Sequence, residues 1–436
     1  MDSQGTQPSN TLPRRRYRGV SPRRRVFPRA GEAETGSVSS EPGALIAGGH
    51  FLGLGAARNL TRHGVPVCVL DSAPCVAQVS RQIRRFMRCP PTGSAEDEAA
   101  FLDFLVQLAA REGMQGWVLF PSTDDHVRIF AQQHERLSCY RLTTPPWEIT
   151  EHLYDKRLTH RLAASRGVPM PRTCTAASAG ELAAVRNLRF PVVLKPAITG
   201  HLMSVTKKKA YRADDRGEML AIYEMMAGIM DPSEILIQDL IPGRAEKLYS
   251  YAGFFKDGAP VAGLAARRPR QHPMEFGRAS TFVEVVDAPE LEELAARLLG
   301  GISYTGLAEV EFMYDDRDAR FELLEVNPRI WGWHTIAIRA GLDLPYYAYA
   351  DAVGLDVLGE IARLARPLRS DARWVRLVTD VPTVLSEIAG GRLSVRQYLA
   401  SMSGNLEFAV PWSLRDPLPF LADVLLVPYY ARHRGF

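Results

Sequence analysis

Residues 306–334 read GLAEVEFMYDDRDARFELLEVNPRIWGWH. Two β-prone runs flank Asp315–Ala319, a stretch of turn-forming residues, so they are predicted to pair as an antiparallel hairpin. Side chains alternate faces along a strand. Phe321, Leu323, Glu325 and Asn327 are thus expected on one face, with Glu309, Glu311 and Met313 on the matching face of the partner. Folding about Arg317 and Asp318 sets Glu311 opposite Glu325, to within one residue of register. Like charges in cross-strand contact are destabilising, and burying them beside Phe321, Leu323 and Met313 adds a desolvation cost. A divalent cation reverses the sign of that interaction. Two carboxylates and an amide oxygen are hard ligands suited to magnesium. The competing reading is a half-exposed hairpin whose acids are solvated or paired to arginine, and the hairpin alone does not choose.

Upstream, the pattern is strand, glycine loop, helix, strand. ALIAGGHFLGLGAARNLTRHGVPVCVLD (residues 44–71) holds a short apolar run, then Leu54, Ala57 and Leu60 at helical spacing, a stop at Gly64 and a second buried strand. EDEAAFLDFLVQLAAREG reads as an amphipathic helix ending at Gly113, followed by the strand GWVLFPS. Such alternation predicts a doubly wound parallel sheet with ligands at the carboxyl ends of its strands. The glycine loop with Asp71 after it suggests a dinucleotide fingerprint. Its glycines run GGxxxGxG instead of GxGxxG, however, and a tight strand-to-helix turn explains them equally. From residue 151, a helix (EHLYDKRLTHRLAASRG) and short strands (FPVVLKP, EILIQDLIPG, LYSYAGFF, STFVEVVD) give an α+β half. After about residue 355 the chain reads as helical and punctuated by proline.

The composition is 46% hydrophobic and 23% charged, ordinary for a globular chain, with a net charge of +4. That charge is uneven. Residues 1–40 hold eight arginines against three acids, with few apolar residues, and residues 1–41 are expected to be a disordered, basic extension. A tail that touches membrane or nucleic acid is the alternative reading. The rest is near neutral, which argues against a nucleic-acid partner. Five cysteines without metal-ligand spacing suggest reduced thiols and a cytoplasmic protein. No apolar run reaches membrane-spanning length.

With these residues in view, the chain resembles the ATP-grasp superfamily. The superfamily's metal site is a glutamate on one strand and Glu-x-Asn on the next, and NPRIWGWH is close to the NPR-x-WG form of D-aspartate ligase and similar carboxylate–amine ligases. The resemblance implies a Rossmann-like (pre-ATP-grasp) domain over 42–150, a two-lobed ATP-grasp domain over 151–355 and a helical extension over 356–436. It implies ATP and two magnesium ions, with Glu311, Glu325 and Asn327 as metal ligands. Lys156 and Lys195 are implied to hold phosphates; the loop after Lys195 departs from the glycine-rich family pattern, with Gly200 alone, and reads as a less flexible lid helped by Lys207 or Lys208. The backbone of Gln238, Asp239, Leu240 and Ile241 would meet adenine, and Glu246 the ribose. Arg329 is implied to contact the transferred phosphoryl group, with Arg267, Arg268 and Arg270 as further arginines facing phosphate and acid substrate from a basic loop.

The activity implied is phosphorylation of a carboxylate to an acyl phosphate, followed by attack of an amine. Substrates would be small-molecule or peptide carboxylates and amines, bound near Ser122–Asp125 and near Trp331, Trp333 and His334, with His334 more plausibly packed than basic. A homodimer is allowed. The rival readings are an ATP-grasp carboxylase, a nicotinamide-dependent oxidoreductase and a non-catalytic ATP-binding protein.

Overall fold

Strands β1 (Ala44–Ala47), β2 (Val67–Asp71), β3 (Arg85–Arg88), β4 (Val118–Pro121) and β5 (Arg141–Leu142) form a parallel sheet in the order β3-β2-β1-β4-β5. Alternate residues of β1 and β2 enter two different cores: Ala44, Ile46, Val67 and Val69 one, Leu45, Ala47, Cys68 and Leu70 the other. Burial on both faces is what their unbroken apolar runs require. The loops that leave β1 and β4 lie side by side at the carboxyl edge, where open α/β sheets place their ligands.

The computed structural model describes residues 41–434 apart from 199–201, 203, 204 and 207. The arginine-rich head (1–40), Gly200 and Lys207 therefore lie outside the described residues.

The glycine loop is packing chemistry. Gly48 has φ +105°, which favours glycine. A Cβ on Gly53 would stand 1.9 Å from the Gly48 carbonyl oxygen, and one on Gly55 would stand 2.6 Å from Thr335 Cγ2. Asp71 takes up both carboxylate oxygens locally, accepting from the Gly49 N–H at 2.7 Å and the Ala73 N–H at 2.8 Å. It closes the turn that a dinucleotide reading would leave open for a ribose.

The helix expected over 151–167 is two helices, Trp147–Tyr154 and Lys156–Ser165. Asp155 breaks it: its side chain accepts from the Arg157 N–H at 2.8 Å and caps the second helix. Lys156 is thereby placed at a helix start. A four-stranded antiparallel sheet follows, β6 (Thr173–Cys174), β7 (Val192–Pro196), β8 (Tyr211–Ala213) and β9 (Ile235–Asp239), in the order β6-β9-β7-β8.

The last sheet has seven strands: β10 (Leu248–Lys256), β11 (Ala259–His272), β12 (Ala279–Val286), β13 (Gly306–Asp315), β14 (Arg320–Asn327), β15 (Ala372–Val375) and β16 (Asn405–Phe408). Their order is β14-β13-β10-β11-β12-β15-β16. Two expectations change here. The basic loop at 267–270 belongs to β11, a 14-residue strand hidden in the sequence by Pro260, Gly263 and Pro269. The C-terminal extension is not wholly helical, since β15 and β16 complete the sheet.

The hairpin pairs Glu311 with Glu325 and Glu309 with Asn327. A bulge at Leu324 shifts the register, so Leu323 pairs with Phe312 and Phe321 with Tyr314. Leu323 and Phe321 therefore pack into the core with Phe312, on the face opposite Glu325. Strict alternation had put them beside it. Among the described residues no helix is long and apolar enough to cross a membrane.

Candidate active site

Between the four-stranded and seven-stranded sheets lies a cleft lined by Lys156, Lys195, Lys209, the 238–241 stretch, Arg268, Glu311, Met313 and Glu325. Glu311 and Glu325 face into it from paired strands. The protein supplies their counter-charges. Arg268 Nη2 donates to Glu311 Oε2 at 2.6 Å and Nη1 to Glu309 Oε1 at 3.0 Å. Lys209 Nζ donates to Glu325 Oε1 at 2.7 Å, and Lys156 Nζ lies 3.6 Å from Glu325 Oε2. Of the two readings of the hairpin, pairing to basic side chains is present: Arg268 on β11, Lys156 at a helix start and Lys209 just before β8 share the neutralisation.

Burial works against ionisation of Glu325, but Lys209 and Lys156 hold its carboxyl well below the usual range. Burial and the neighbouring Lys156 push Lys195 down to about 7, against the pull of Glu325. Glu309, to which the sequence reading gave no role, is a hub. It accepts from Ser250 Oγ (3.0 Å), Arg268 and Trp333 Nε1 (2.9 Å), and from Asn327 Nδ2 at 3.2 Å. Burial and the Glu311 carboxylate raise it to about 7. Its i, i+2 relation to Glu311 was the signal available in the sequence.

Asn327 directs its amide nitrogen at Glu311 Oε1, 2.8 Å away, and its oxygen accepts from Arg329 Nη2 at 3.1 Å. A half-turn of the amide exchanges the two atoms and would complete an all-oxygen set with Glu311 and Glu325, the donor chemistry of magnesium.

The lysines converge from separate elements. Lys195 ends β7, and the Lys156 N–H donates to the Ala197 carbonyl just beyond it, at 3.2 Å. Within the 207–209 run, Lys209 reaches the acids, whereas Lys208 is exposed with its ammonium 5.0 Å from the Tyr211 ring centroid. Gln238–Ile241 border the cleft. The Asp239 N–H donates to the Arg172 carbonyl and the Leu240 N–H to that of Pro191. Ile241 N–H takes no backbone acceptor among the described residues. Glu246 is not in the cleft: Ala245 and Leu248 line it, and Glu246 is exposed on the outside of the same short turn.

Of the arginines, Arg268 alone of the three on β11 lines the cleft. Arg267 pairs with Glu284 on β12. Arg270 is buried and bidentate on Asp380, at 2.8 and 3.0 Å, with Phe282 4.0 Å beneath its guanidinium carbon. The irregularity at Pro269 turns it away from the face that Arg268 occupies. Arg267 and Arg270 are therefore structural, contrary to expectation.

Arg329 leaves β14 toward the parallel sheet and meets Asp124. Near it, Ser122 is engaged with the Ala47 carbonyl at 2.6 Å and Thr123 caps the helix Asp124–Gln132. Trp331, Trp333 and His334 are 1–2% exposed and form core, not a substrate wall. His334 bonds the Trp331 carbonyl, and burial pushes its pKa down to about 4.

A four-stranded and a larger sheet that enclose a groove between an acidic hairpin and converging lysines define the ATP-grasp fold, and this chain has it. Residues 272–358 match the family described as carbamoyl-phosphate synthase L chain, ATP binding domain. D-aspartate ligase of Enterococcus faecium is 24% identical over 271 residues, 59% of this chain and 64% of that protein. The match thus spans just under two thirds of the relative's length. Among solved structures, biotin carboxylase from Campylobacter jejuni aligns with TM-score 0.59 and 16% identity over 76% of this chain and 74% of that one. L-amino acid ligase from Bacillus licheniformis gives 0.56 and 17% over 76% and 78%.

Proposed function

We propose that the protein is an ATP-dependent carboxylate–amine ligase. The observation that carries the reading is the pairing of Glu311 with Glu325 on a hairpin whose next turn delivers Arg329 to the edge of the parallel sheet. That edge is where a second substrate can approach the phosphates. D-aspartate ligase among the relatives supports an amino acid as one substrate.

Glu311, Glu325 and Asn327 would hold one or two magnesium ions, which supply charge neutralisation and a template for the triphosphate oxygens. Lys156, Lys195 and Lys209 neutralise the upstream phosphates, and the Ile241 N–H meets the adenine edge, a role supported by its lack of a backbone acceptor among the described residues. A carboxylate oxygen of the acid attacks the γ-phosphorus as the bond to ADP breaks, giving an acyl phosphate. The amine nitrogen then attacks the acyl carbon, phosphate leaves with its bridging oxygen, and the amine loses a proton. Arg329 balances negative charge on the transferring group and on the tetrahedral adduct. His334, buried and neutral, takes no part in proton transfer.

A carboxylase is the second reading, supported by the biotin carboxylase fold match. Incubation with ATP, magnesium and a panel of amino acids, following ADP and new mass, separates the two. ADP release that needs bicarbonate and no amine would overturn the ligase reading. The five free cysteines support a reducing, cytoplasmic setting. Exposed Leu385 and Leu399 on neighbouring C-terminal helices support a homodimer, which sedimentation would detect.

A further inference from the structure

Away from the cleft, a second cavity of about 580 Å³ opens between the helices Phe51–Arg62 and Thr335–Ala340 and two stretches of the C-terminal extension, 366–369 and 407–413. Five arginines line it. Arg58 is neutralised by Asp416 at 2.8 Å. Arg62, Arg339, Arg366 and Arg369 have no carboxylate at ion-pair distance among the described residues. Asp343 is held by Asn59 Nδ2 at 2.7 Å and stands 3.4 Å from His63. Glu407 is the one other acid of the lining, and burial favours its neutral form.

Arg62 and Arg339 sit in the last turns of their helices, whose carbonyl ends offset about half a charge each. Even with Asp343 and Glu407 both counted as ionised, an excess of about one positive charge stays focused in one concave space. Guanidinium groups, planar and forked, suit phosphate oxygens above other anions.

We propose that this cavity binds a phosphorylated small molecule carrying at least a dianionic phosphate, separately from the nucleotide cleft. Arg366 and Arg369 of the extension grip it together with Arg62 and Arg339. The site is coupled to the cleft through the helix Thr335–Ala340. At one end the Arg369 N–H donates to the Ala340 carbonyl at 3.0 Å. At the other the helix follows directly on His334 and on Trp333, which bonds Glu309. Occupancy braces the support of the acidic hairpin. The inference does not depend on the ligase reading.

The test is calorimetric titration of the full chain with inorganic pyrophosphate. The wild type should show a class of sites that survives Lys195→Ala and weakens with salt. In Arg366→Ala/Arg369→Ala that class should lose about tenfold or more in affinity, as removal of two charged donors requires. Arg366→Gln/Arg369→Gln should behave alike, which guards against a folding defect in the first variant. Pyrophosphate binding that is absent in the wild type, unchanged in both double variants, or abolished by Lys195→Ala would overturn the proposal.

Discussion

Arg329 Nε donates to Asp124 Oδ1 at 2.6 Å, tying the residue just beyond the acidic hairpin to the first turn of a helix on the parallel sheet. The Arg329 guanidinium holds the Asp124 carboxyl below its usual range. The contact aims the guanidinium at the seam between the halves of the site. Arg329→Ala should lower kcat by about 10²–10³, the loss seen when a transition-state charge partner is removed, with nucleotide affinity little changed. Asp124→Asn should cost less than about tenfold, since its carboxylate is half exposed. Steady-state kinetics beside nucleotide titration separate the two effects, and equal losses in both variants would contradict the assigned roles.

Glu325→Gln should abolish ADP formation while the protein stays folded. The substitution leaves Lys209 and Lys156 facing a neutral amide, so the melting temperature will move, but the hairpin core of Phe312, Leu323 and Val326 lies on the other face. Undiminished ADP release from this variant would refute the metal assignment.

Lys195 provides the pH signature. Its folded value of about 7 means the ammonium is largely deprotonated at higher pH, and bound phosphate must raise it again. Nucleotide binding should therefore take up a fraction of a proton at about pH 8, and affinity should weaken as pH rises through 7. Titrations in buffers of different ionisation enthalpy measure the uptake. It should vanish in Lys195→Met; uptake that persists there belongs to another group.

How much of this was legible in the sequence depends on length scale. The hairpin and the pairing of Glu311 with Glu325 follow from alternation and turn chemistry, which are local, whereas the roles of Lys156 and Lys195 came from the family resemblance. Phe321 and Leu323 were misplaced because a single bulged residue, Leu324, inverts the alternation and leaves no trace in composition. Arg267 and Arg270 were misplaced for a related reason. Pro269 reads as a loop signal, yet it sits in a strand where it deflects Arg270 into Asp380, 110 positions away. Such long-range pairs are invisible to a local reading. The partners of Arg329 and Glu309 were out of reach for the same reason.

Arg270→Ala should accordingly destabilise the fold by about 3–5 kcal/mol, because Asp380 would remain buried and unpaired. Specific activity of the folded fraction should be unaffected. Denaturant unfolding and activity measured on the same preparation test this, and loss of activity without loss of stability would return Arg270 to the site.

Gly55→Ala places a Cβ 2.6 Å from Thr335 Cγ2 and 2.9 Å from the His334 ring. The expected cost is about 1–3 kcal/mol of overpacking, visible in the denaturant midpoint. A neutral outcome would show that the two helices are not in this contact.

Acyl phosphate formation is the central step of the proposed reaction, and oxygen tracing tests it directly. An amino acid that supports ADP release is supplied with both carboxylate oxygens as ¹⁸O, together with ATP, magnesium and an amine. Each phosphate released should carry one labelled oxygen, because the bridging oxygen leaves with phosphorus when the amine attacks the acyl carbon. Unlabelled phosphate, with product still formed, would contradict it.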